Sequence, residues 1–206
     1  TIINLLARFY EVTQGEILID GIDIRNFDKK FLRQNIGIAL QDVFIFSGSI
    51  RSNIALGEED PAQKRIEEAA GVIGASEFIE KLPGGYNYEL GERGSTLSAG
   101  QRQLLAFARL MYKGPRILVL DEATSSVDTH TEHLIQKALE KLIAGRTSLV
   151  IAHRLSTIRH VDRIIVMHHG RITETGTHEE LLRQRGIYYN LYQLQYKDQE
   201  AAIGEA

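Results

Sequence analysis

Two hydrophobic rhythms run along this chain, and the first is helical. Ile2, Ile3, Leu5, Leu6 and Phe9 form a stripe with no cap or turn before it. Phe31 to Asn35 predicts a short helix. Asp60-Pro61 predicts the start of another, with proline in its first position, running through Ile66, Ala69, Ala70 and Ile73. Ser76 to Lys81 predicts a further short one. Ser98 opens S-x-x-Q with Gln101, a capping box, and Leu104, Leu105, Ala108 and Met111 follow at helical spacing. Thr129 and Glu132 form a second box ahead of Leu134, Ile135, Ala138, Leu139 and Leu142, and Gly145 closes that helix. Thr177 and Glu180 form a third. The last helix sets Ile187, Leu191, Leu194 and nearby tyrosines on one side, which predicts packing against the sheet.

The second rhythm belongs to strands. Gly15 to Asp20 alternates apolar and polar residues up to Gly21, as an antiparallel strand with a turn does. Ile36 to Leu40, Ile117 to Leu120 and Thr147 to Ala152 are apolar runs instead. Such runs suit strands buried on both faces of a parallel sheet. Arg163 to Met167 and Arg171 to Glu174 flank His168-His169-Gly170 as a hairpin would. The paired histidines there read as a solvated turn, since no local carboxylate or further histidine joins them. Strands each followed by helices predict an α/β fold: a parallel sheet, an antiparallel part and an inserted helical subdomain.

Composition narrows the function classes. The chain has 206 residues, 43% of them hydrophobic, and a formal charge of −3. That suits a soluble globular protein and gives no support to nonspecific nucleic-acid binding. Cysteine is absent, so disulfides and thiolate metal sites do not arise. No apolar run reaches the roughly 18 residues of a membrane-spanning helix, and no signal peptide is visible. Any membrane segment is therefore expected on another part of the molecule.

Candidate chemistry concentrates between Leu97 and Asp128. The strand Ile117 to Leu120 runs directly into Asp121 and Glu122, the position where open α/β sheets bind ligands. Asp121 suits a Mg²⁺ ion, through water, and Glu122 suits a base for an attacking water. An exposed acidic turn is the plainer alternative. Ser98 with the free N–H groups of Ala99 and Gly100 could face an anion at the helix mouth, or Ser98 could simply cap the helix.

LSAGQ (97–101) followed by ILVLDEATSSVD (117–128) resembles the signature motif, Walker B and D-loop of the ATP-binding-cassette (ABC) family. The usual signature is LSGGQ, and Ala99 replaces one glycine. The resemblance covers nearly the whole chain and is nearest to nucleotide-binding domains of exporters. It implies a P-loop NTPase-like (RecA-like) fold across residues 1–206, with a helical subdomain at about 49–112 carrying the signature. It implies ATP and Mg²⁺ as ligands. Gln41, in the family's Q-loop, would touch the Mg²⁺ or the water, and its loop would face the membrane domain. His153 would contact the γ-phosphate and orient Glu122. Ser98, Ala99, Gly100 and Gln101 would serve the ATP of a second nucleotide-binding domain, and Asp128 would meet that subunit. Glu92 and Arg93 resemble the exporter X-loop and would touch the transmembrane domain at the cytoplasmic face of a membrane. Phe44 reads equally as core or as an apolar contact for a partner helix, and Phe46 reads as core.

The family's G-x-x-x-x-G-K-[ST] loop is not in this sequence. Thr1 to Tyr10 resembles the helix that follows that loop. The expectation is a fragment of a larger domain. ATP-driven export by an exporter is the leading reading. An interaction module without its own ATPase activity, and a soluble cassette ATPase, are the alternatives.

Overall fold

The computed structural model describes residues 2–40, 42–121, 129–152 and 161–194, without the side chains of Arg93, Thr129 and His130. The chain forms two compact units, 1–151 and 152–206.

The first unit opens with α1 (Ile2–Leu6), shorter than its stripe: Ile3 is buried, while Phe9 is exposed. A hairpin follows, β1 (Leu18–Ile19) and β2 (Ile22–Asp23), paired antiparallel. Next come α2 (Lys29–Asn35), capped by the Asp28 side chain, and β3 (Ile36–Ala39). Then β4 (Gly48–Ser49) pairs antiparallel with β5 (Glu89–Leu90). Between these two strands lie α3 (Ile50–Ile54), α4 (Gln63–Ile73) and α5 (Ser76–Ile79). The long α6 (Ala99–Lys113) leads through Gly114, in the left-handed region, to β6 (Ile117–Asp121). α7 (Thr129–Ile143) and β7 (Thr147–Ile151) complete the unit.

Strands β3, β6 and β7 form a parallel sheet in that order. β6 is its middle strand, and its alternation explains the apolar run. Leu118 and Leu120 join the core built by α4, α6 and α7. Val119, on the opposite face, joins Ile3, Ile24, Leu32 and Ile36. All three are essentially inaccessible, as expected for a parallel strand covered on both sides. β7 is only half-buried, because among the described residues it has a neighbour on one side alone.

One expected helix start moves. α4 begins at Gln63 behind Ala62, with no side-chain cap, rather than at Asp60-Pro61. Pro61 is buried, and its carbonyl accepts a bond from Arg51 at 2.6 Å. Thr129 is the first described residue of α7, and its side chain, which the expected box would use, lies outside the described residues.

The second unit holds β8 (Ile164–His168), β9 (Arg171–Gly176) and α8 (His178–Gln184), followed by helical backbone at 187–194. The hairpin forms as the sequence predicts. Its core is Ile164, Val166, Leu181 and Tyr188. Leu191 and Leu194 are exposed, so Tyr188 is the buried anchor of that last helix.

Candidate functional site

The parallel register brings three strand ends to one edge: Ala39 pairs with Leu120, Leu120 with Val150, and Asp121 with Ile151. Asp121 is the last residue of β6 and is half-buried. Gln41, Glu122 and His153 lie outside the described residues. In sequence they follow the last residues of β3, β6 and β7 by two, one and two positions. Asp128 also lies outside the described residues.

Helix α6 packs along this sheet. Gln103 and Phe107 line one small cavity together with Leu120 and Asp121. Ser98 sits five residues before Gln103, so the helix mouth stands about 7.5 Å further along the axis. Ser98 and Ala99 are exposed and Gly100 is buried. The capping box is complete: Ser98 Oγ accepts from the Gln101 N–H at 3.2 Å, and Gln101 Oε1 accepts from the Ser98 N–H at 2.9 Å. The Ala99 and Gly100 N–H groups belong to the first turn, which has no acceptor inside the helix. The mouth therefore presents backbone donors, a dipole end and a hydroxyl at the surface.

A second surface lies on the same unit. In the segment after Gln41, Ile45 turns inward and is fully buried, while Phe44 and Phe46 turn out at 59% and 41% exposure. Their rings meet edge to face at 4.7 Å. Phe46 is thus not core: Ile45 takes the inward position, and the phenylalanines on either side of it share the outer face. Gly94 covers Ile45. A Cβ there would come within 3.0 Å of Ile45 Cγ2, and its φ of +59° also suits glycine. The turn Glu92–Gly94 and the Phe44–Phe46 segment are therefore contiguous, and Glu92 is exposed.

This segment is held by residues that the sequence patterns do not mark. Asn53 is buried and uses its whole amide. Its Oδ1 accepts from the Phe46 N–H (3.0 Å) and Arg109 Nη2 (3.2 Å). Its Nδ2 donates to the carbonyls of Phe46 (2.9 Å) and Ser49 (3.1 Å). Arg109, on α6, also donates to the Asn53 carbonyl (2.8 Å) and the Phe44 carbonyl (3.1 Å). Burial pulls its guanidinium below the ordinary arginine pKa.

The model of the family described as ABC transporter matches residues 1–125. The chain belongs to the ABC transporter family. It is 52% identical over 205 residues to an ATP-dependent lipid A-core flippase of Syntrophus aciditrophicus (strain SB), covering 100% of this chain and 34% of that protein. It is 49% identical over 195 residues to a putative multidrug export ATP-binding/permease protein of Bacillus subtilis (strain 168), covering 95% and 34%. Among solved structures, a bacterial Atm1-family ABC exporter with ATP bound superposes with a TM-score of 0.86 at 43% identity, covering 94% of this chain and 34% of that one. The fold is that of an ABC exporter's nucleotide-binding domain, and this chain spans about a third of the length of the relatives it matches. Among the described residues, no helix of this ABC chain is long and apolar enough to cross a membrane.

Proposed function

We propose that the chain forms the catalytic part of an ATP-hydrolysing cassette that powers export of a solute across a membrane. One geometric observation carries this reading. A strand buried on both faces delivers Asp121 to the edge where three parallel strands end, and an exposed helix mouth at Ser98 stands beyond it on the same unit. The names of the similar proteins, a flippase, an export permease and an exporter with ATP bound, favour export over a non-transport cassette or a passive module.

Each residue then has a task. The Asp121 carboxylate fits Mg²⁺, which takes one or two carboxylates and keeps part of its water shell. Gln41 would add an amide oxygen. The ion, when bound, offsets charge on the β- and γ-phosphate oxygens. Glu122 would accept a proton from the attacking water. The new O–P bond forms in line as the bond to the bridging oxygen breaks, releasing ADP and phosphate. His153 would hold the water and γ-phosphate in register with Glu122.

The signature residues would serve the ATP of a second nucleotide-binding domain, either a copy of this chain or a related one. There the Ala99 and Gly100 N–H groups and the Ser98 hydroxyl would donate to γ-phosphate oxygens. Gln101 would keep the Ser98 backbone in place, and Asp128 would meet the opposing subunit. The helical subdomain would span about residues 49–112. The Gln41 loop, Phe44, Glu92 and Arg93 would face a transmembrane domain at the cytoplasmic surface.

Glu122→Gln in the complete protein tests the catalytic assignment. The variant should bind ATP like the parent and lose at least about 100-fold in turnover, the scale of a missing general base. Unchanged turnover would remove Glu122 as the base.

A further inference from the structure

Arg109 lies eleven residues after Ser98 on the same helix, about three turns along. Its side chain binds nothing catalytic. It reaches across to a segment more than fifty residues away in sequence, where Nε and Nη1 hold the carbonyls of Asn53 and Phe44 and Nη2 holds Asn53 Oδ1. The guanidinium carbon also stands 5.6 Å from the Phe46 ring centroid. Three acceptors, each on a different guanidinium nitrogen, match the fork of arginine, and a single ammonium nitrogen does not reproduce that spread. Asn53, with all four amide positions used, passes the restraint on to the backbone of Phe46 and Ser49.

We propose that Arg109 is a positioning residue that ties the signature helix to the loop displaying Phe44 and Phe46. A shift of the Ser98 mouth toward a nucleotide then moves the aromatic face with it, because the clasp leaves the two no separate arrangement. The proposal rests on the functional reading above, and it assigns the transmission inside one subunit to a named side chain. An ordinary structural staple would hold the loop equally well with and without nucleotide.

The test is hydrogen exchange on the complete protein carrying Glu122→Gln, with and without ATP and Mg²⁺. With Arg109 present, ATP changes exchange at the start of α6 and at residues 44–48 over the same titration. Arg109→Lys keeps the first response and weakens the second at least about fivefold, the low end of ordinary coupling between sites. Phe46→Leu, at an exposed ring that folding tolerates, supplies the second variant. It weakens the loop response about twofold while melting within a few degrees of the parent. An undiminished response at 44–48 in both variants, with ATP still bound, overturns the proposal and leaves the functional reading intact. Absence of any ATP-dependent change in the parent overturns the functional reading and the proposal with it.

Discussion

At the scale of single residues, the packing of β3 on α6 allows a sharp prediction. Gly37 has a conventional backbone, yet a Cβ there would come within 2.6 Å of Pro115 Cγ and 2.9 Å of Leu110 Cδ2. Both neighbours are fixed, one by its ring and one by the core. Gly37→Ala should therefore cost about 1–3 kcal/mol in urea denaturation, the range for overfilled cores. A glycine whose space is open, such as Gly15, gives no such steric term.

Residues whose position is set by near neighbours were legible in the sequence. Asp121 stands at the end of its apolar strand as expected, and Ser98 caps as expected. The Asn53–Arg109 contact was not legible, because it spans 56 residues and no spacing rule reaches that far. Phe46 was read as core on hydrophobicity alone. Its exposure follows from Ile45 taking the inward position, which composition does not specify.

At the scale of elements, local chemistry again separates what could be read from what could not. The boxes at Ser98–Gln101 and Thr177–Glu180 both form, each needing only a side chain to reach three residues along. The Asp60-Pro61 start gives way to one at Gln63, and the proline carbonyl accepts from the Arg51 side chain instead. α8 offers a pH test of its box. The Thr177 backbone N–H, and then its hydroxyl, hold the Glu180 carboxyl below the ordinary glutamate pKa. The folded value is depressed, so this contribution is complete above the unfolded pKa and disappears as pH falls through the folded one. Thr177→Ala should destabilise α8 at neutral pH by about 1 kcal/mol, typical of a lost N-cap. Glu180→Ala removes the titrating partner instead, so in thermal melts the gap between that variant and the parent should narrow as the solution is acidified through the carboxylate range. A gap independent of pH would show that the Glu180 carboxylate takes no part in the box.

The element expectations also mark where tertiary context decides. β6 was read as buried on both faces, and it is, with separate cores on either side. β7 carries a similar apolar run but is only half-buried, since its surroundings among the described residues cover less of it. Sequence pattern gave the strand, and its neighbours set the burial.

At the scale of the whole molecule, the α/β architecture and family were legible because two motifs in fixed order frame one helix and one strand. The relation between the Ser98 mouth and the Asp121 tip was not, because it depends on how far α6 extends past the sheet. If the cassette works as proposed, these two features of one chain serve different nucleotides. Two complete proteins joined in tandem test it, with turnover measured for two arrangements of Ser98→Arg and Glu122→Gln. Placed in separate halves, the substitutions damage the same composite site and spare the other. Placed in one half, they damage both. Turnover should be at least about tenfold higher for the split arrangement, since a missing general base alone costs more than that. Higher turnover with both substitutions in one half would contradict it, because each site would then be complete within a single chain.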